Sequence, residues 1–89
     1  MTLKSGGARI AVEWGYDLHE IILTPRNWSR VKRGGNLEIR SPGFSEEGFQ
    51  WEYWKFGGGL DGDLVVEYGD DWGTGFIGKL RDAMIEEAD

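Results

Sequence analysis

Apolar and polar residues alternate from Ala8 to Trp14, with Ala8, Ile10, Val12 and Trp14 on one side and Arg9, Ala11 and Glu13 on the other. A strand sends successive side chains to opposite faces, so this period predicts a half-buried strand. Leu18 to Leu23 repeats the pattern, His19, Ile21 and Leu23 standing opposite Glu20 and Ile22, and Gly15-Tyr16-Asp17 between the two segments predicts an antiparallel hairpin. Thr24-Pro25 is a helix start: the Thr hydroxyl can accept from first-turn N–H groups, and Pro at the first position gives up no needed bond. The predicted helix runs from Pro25 to about Lys32 and stops at Gly34-Gly35, with Trp28 and Val31 toward the core. Alternation resumes over Asn36 to Arg40, with Leu37 and Ile39 inward, and Ser41-Pro42-Gly43 reads as a turn or bend. A further strand is expected over Leu64 to Tyr68.

Residues Phe49 to Phe56 read FQWEYWKF, five aromatics in eight positions. As a strand this places Phe49, Trp51 and Tyr53 on one face and Trp54 and Phe56 on the other. A single-layer sheet needs one apolar face, and this strand carries two. Something must cover the second: a helix, a partner chain or a ligand. Gly57-Gly58-Gly59 ends the segment.

At the C-terminal end, Ile77, Leu80, Met84 and Ala88 recur at three to four residues among strong helix formers, which predicts a closing amphipathic helix over residues 79–88. A short strand at Phe76-Ile77 and another near Met84-Ile85 is the rival reading. The expected fold is α+β: a mainly antiparallel sheet of about five strands, a short helix after strand two and a possible C-terminal helix. Residues 1–7 are expected to be a flexible arm and residues 8–89 a single domain.

Eighty-nine residues bury only about 60–65% of their unfolded surface, so the core is modest, and twelve aromatics, five of them Trp, can supply what few aliphatics cannot. There is no cysteine, hence no disulfide. No run approaches a membrane span and the N-terminus lacks the apolar core of a signal peptide. The chain is therefore expected to be complete, soluble and cytoplasmic, with no membrane partner. The net charge of −6 conceals an asymmetry: residues 1–45 hold seven Lys or Arg against four acids, and residues 46–89 hold three against twelve. Such halves are expected to meet, within one chain or between two.

Gly73-Thr74-Gly75-Phe76-Ile77-Gly78 fits G-x-G-x-x-G letter for letter. The dinucleotide fingerprint also needs a following parallel strand and an acid about twenty residues on. Neither has room, and Asp70 and Asp71 would repel a pyrophosphate; the glycines are expected to serve a turn and close packing beside Trp72. Asp61, Asp63, Asp70 and Asp71 form a candidate acidic patch, without the alternating ligand loop of a calcium site. His19, the only histidine, lies on the apolar strand face, and Ser29, Ser41 and Ser45 sit in no nucleophile context. Carboxylates such as Glu52, Asp82 and Glu86 could in principle pair for glycoside hydrolysis, but a domain this small has little room for a cleft. No catalytic residue, metal or cofactor is expected. Arg26, Arg30, Lys32 and Arg33 form a candidate basic patch on the helix, yet the overall charge opposes nucleic acid.

Trp51-Glu52-Tyr53-Trp54-Lys55-Phe56, with Tyr68-Gly69-Asp70-Asp71 and Gly75-Phe76-Ile77-Gly78, resembles in size and style the small bacterial proteins carried on mobile elements such as integron gene cassettes. That resemblance transfers no functional residue. Taken together, these features predict a non-catalytic domain that binds a protein or its own copy, most simply as a homodimer, with Trp51, Trp54, Phe56 and Trp72 as candidate interface residues. Two alternatives stay open. One is an acidic inhibitor or immunity-type protein that caps a basic nuclease or toxin. The other is a small-ligand module with an aromatic pocket.

Overall fold

The computed structural model describes residues 3–45, 48–59, 61–69 and 75–89, and the backbone alone for 41–45 and 48–51. The first hairpin forms as the alternation predicts. Strands β1 (Ala8–Trp14) and β2 (Asp17–Leu23) pair in antiparallel register from Ala8↔Leu23 to Trp14↔Asp17. Gly15 supplies the positive φ of 67° that so tight a turn requires.

Helix α1 (Pro25–Lys32) follows. Thr24 Oγ1 accepts from the Asn27 N–H at 3.2 Å. At the other end the Gly34 N–H donates to Val31 O and the Gly35 N–H to Arg30 O, the paired closure of a Schellman motif, with Gly34 at φ +82°. Both ends are thus fixed by local chemistry, and Trp28 and Val31 are buried as the spacing predicts.

Strands β3 (Leu37–Ser45), β4 (Gly48–Gly58), β5 (Leu64–Gly69) and β6 (Gly75–Lys79) form a four-stranded antiparallel meander in chain order. Ser41-Pro42-Gly43, expected as a turn, instead continues β3, with Pro42 opposite Trp51. Strand β3 is the edge strand of the meander, the position in which a sheet accommodates Pro. After β6 a single 3₁₀ turn (Leu80–Asp82) carries the chain to β7 (Met84–Glu87), which pairs with β1 from Ala8↔Glu87 to Ala11↔Met84. The second sheet therefore has the order β2-β1-β7.

Two sequence expectations are corrected here. There are seven strands in two sheets among the described residues, not about five in one. Residues 79–88 hold no α-helix; they follow the rival strand reading. Helix propensity is worth a few tenths of a kcal/mol per residue and yields to tertiary context, and here the open edge of β1, with Ala8 and Ile10 fully buried, takes up β7 instead. Gly6 and Gly7 extend this pairing through hydrogen bonds with Ala88.

The two sheets share one core. From β2-β1-β7 come Ala8, Ile10, Val12 and Leu23; from the meander come Trp54, Phe56, Val66 and Tyr68; α1 adds Trp28 and Val31, and the 3₁₀ turn adds Leu80. Helix α1 packs against β2 and β3, an edge strand of each sheet, and so bridges them. Rings connect the layers: Trp14 to His19 (5.9 Å between centroids), His19 stacked on Tyr68 (4.4 Å), Tyr68 to Trp54 (4.7 Å) and Trp54 to Phe56 (6.4 Å).

Candidate functional site

Trp54 is 2% exposed and Phe56 0%, so the two residues expected to anchor an interface are core residues instead. Their face of β4 meets the β2-β1-β7 sheet and α1 of the same chain, which supplies the cover that the sequence left unassigned. The register puts Ile39, Trp54, Tyr68 and Phe76 in one row on this inner face, and Leu37, Phe56 and Val66 in the next. On the outer face Tyr53 lies half-buried across Gly69, where an added Cβ would collide with its ring. Trp51 stands opposite Pro42 in β4 by its backbone; its side chain lies outside the described residues, as do Trp72, Asp70 and Asp71.

The expected charge patches fare differently. Arg26, Arg30, Lys32 and Arg33 are all exposed on or just after α1. Lys32 Nζ lies 3.8 Å from Glu87 and 5.6 Å from the centre of the Trp28 ring. Asp61 is an exposed turn residue, whereas Asp63 is held by Lys79 Nζ at 2.8 Å. That hydrogen bond, and then the charge of Lys79, push the Asp63 carboxyl below its ordinary range. Of the glycine motif, Gly73 and Thr74 lie outside the described residues, and Gly75 to Gly78 are strand β6. Gly75 and Gly78 are therefore not turn residues. Gly75 lets β6 approach the Tyr68 carbonyl closely, and Gly78 leaves space for the Phe76 ring, whose Cζ lies 2.6 Å from where a Cβ would sit.

Exposed apolar side chains lie elsewhere: Ile77, 73% exposed, on β6 of the meander opposite Glu67, and a group on the outer face of β2-β1-β7. Leu18 and Met84 are 50% and 48% exposed, and Ala11 between them is 6% exposed without belonging to the shared core. Ala11 faces Glu20 across β2 and Met84 across β7, and Leu18 faces Glu13, so the apolar residues run diagonally over three strands. Two hollows open around Met84. One, of about 150 Å³, is bounded by Arg9, Leu18, Glu20, Ile85 and Glu86 with Ala11; the other, of about 290 Å³, by Glu13, Phe76 and Asp82 with Ala11. Arg9 bridges two carboxylates, Glu20 at 3.7 Å and Glu86, which it also hydrogen-bonds. Tyr16 projects fully exposed from the hairpin tip.

A third hollow, of about 590 Å³, lies on the outer face of the meander, floored by Gly57 and Gly58 and walled by Asn36, Glu38, Lys55 and Glu67. Leu37 and Val65 complete a lining of mixed polarity, and no described aromatic residue belongs to it; Trp54 and Phe56 fill the core. Among the described residues no three acidic or histidine side chains gather as a metal would need, and no helix is long and apolar enough to cross a membrane.

The Leu18–Ala11–Met84 diagonal escaped the sequence reading in part. Period-two alternation in β2 puts Leu18 with Glu20 and Ile22, away from His19 and Ile21, and that signal was there to read. Met84 joins them only through the pairing of β1 with β7, which no local pattern announces. No protein-family model matches the chain, and no curated protein or solved structure matches it.

Proposed function

We propose that this chain is a non-catalytic protein-binding domain of the cytoplasm, and that its contact surface is the outer face of β2-β1-β7. The observation that carries this reading is the pair of half-exposed side chains, Leu18 and Met84, flanking buried Ala11 on the outer face of the sheet. An apolar centre within a charged rim is the usual anatomy of a protein contact. Methionine suits it, because its unbranched, polarisable side chain adapts to the shape it meets. The cysteine-free sequence supports a reducing compartment.

The test replaces Leu18 and Met84 together by Ser, which removes the apolar centre and adds no charge. A tagged chain is cross-linked in its host, and the captured protein is purified and titrated against both forms. Binding to the native chain that the double variant loses, at an unchanged melting temperature, supports the assignment; equal binding to both forms rejects it.

A second reading rests on the hollow over Gly57 and Gly58, whose volume falls in the range of small-molecule sites, about 300–1,000 Å³. It would make the chain a binder of small ligands that carry both polar and apolar groups. A thermal-shift screen of sugars and nucleosides tests it: a saturable rise in melting temperature that Lys55→Ala abolishes is the expected result, and no response across the screen counts against it.

A further inference from the structure

We infer that the occupant of the β2-β1-β7 face is a basic protein segment that carries large aliphatic side chains, an inference that rests on reading this face as the contact surface. The apolar diagonal asks for an apolar partner, and the charges around it select which one. Glu13, Glu20, Glu86 and Asp82 border the two hollows, and the single cation among them, Arg9, is already committed to Glu20 and Glu86. Glu13 and Asp82 have no ion-pair partner among the described residues, and both line the hollow whose remaining walls are Ala11, Phe76 and Met84.

A hollow with apolar walls and carboxylates at its margin suits a Lys or Arg side chain. The aliphatic stem lies against Met84 and Phe76 while the cationic head stays at the wet rim. The neighbouring hollow beside Leu18 and Met84 then takes an aliphatic side chain.

The same charges disfavour the other occupants. Two copies joined through this face about a two-fold axis would set the acidic rim of one, Glu13, Glu20, Glu86 and Asp82, against the same rim of the other, and like charges across an interface are repulsive. Nucleic acid and anionic lipid are repelled for the same reason.

The experiment follows backbone amide shifts of the isotope-labelled chain as three short synthetic peptides are added: alternating Leu and Lys, alternating Leu and Glu, and alternating Ser and Lys. The Leu–Lys peptide is expected to shift Ala11, Leu18, Glu20 and Met84 saturably. Its affinity should fall several-fold as salt rises from about 50 to about 300 mM, where screening shortens the reach of the rim charges. Glu13→Gln with Asp82→Asn should weaken it several-fold with the fold intact, and Leu18→Ser with Met84→Ser should abolish it.

Equal binding by the Ser–Lys peptide would overturn the inference, since charge alone would suffice. Equal binding by the Leu–Glu peptide at the same amides would also overturn it while leaving the face a contact surface. Shifts elsewhere, or none, would reject the basic segment and count against the face itself. Shifts at these amides that grow with protein concentration before any peptide is added would make a second copy the occupant.

Discussion

Phe56 has no exposed surface, and its neighbours Trp54, Val66 and Leu37 belong to the same packed layer. Truncating so enclosed a ring leaves a cavity as well as lost transfer energy, so Phe56→Ala is expected to cost about 3–5 kcal/mol in urea unfolding. Had Phe56 anchored an interface, the isolated chain would barely register the change. The sequence legibly separates Trp54 and Phe56 from Tyr53, but not which side is covered, because apolar residues occupy both faces of β4. That choice depends on the other sheet, whose completion is a long-range event. His19 shows a smaller tension. Its ring stacks on Tyr68, yet its Nε2 is buried without a hydrogen-bond partner among the described residues. His19→Phe keeps a ring in the stack and removes the orphaned nitrogen, so stability should rise by about 1 kcal/mol; a drop in the urea midpoint would refute this. At Asp63 the pKa is lowered in the folded state by Lys79. The unfolded chain therefore protonates this carboxyl first as acid is added. The contribution is complete above the unfolded pKa and disappears as pH falls through the folded one, below about pH 4. Asp63→Asn should be less stable than the native chain at neutral pH, the gap narrowing toward pH 3. A gap that stays constant in paired urea titrations rules the ion pair out as its source.

The elements divide by how their ends are determined. The first hairpin and α1 match the sequence expectation nearly residue for residue, because their boundaries are written in short-range chemistry: alternation, Gly15, Thr24-Pro25 and Gly34-Gly35. Gly34 tests this directly. Nothing lies within contact of a Cβ added there, so Gly34→Ala meets only the left-handed backbone penalty, about 1–2 kcal/mol by thermal or urea unfolding. A neutral result would mean that the helix end unwinds without cost. Strand β7 is the opposite case. Locally its residues favour helix, but they become strand because β1 offers an unfilled edge. The contact surface shares this limit: Leu18 was legible from β2 alone, while Met84 required the sheet.

At the scale of the whole molecule, the uneven charge of the two chain halves is partly resolved by folding. Arg9 and Lys32 from the basic half meet Glu86 and Glu87 from the acidic half, both on β7. Strand β7 is thus an electrostatic as well as a hydrogen-bonded closure, and removing residues 84–89 takes away both. The shortened chain should lose its cooperative thermal transition by circular dichroism, with β1 left as an exposed apolar edge prone to self-pairing; a sharp melt at the native midpoint would contradict that role. The pairing of β1 with β7 spans nearly the entire sequence, and contacts so remote are slow to form. It also sets an order in time. On the ribosome the hairpin and helix emerge ahead of β7 with their local signals complete, but the sheet they begin must wait for it. Until then Ala8, Ile10 and Val12 have no finished layer to enter, and this apolar segment stays unprotected while the whole meander is being made.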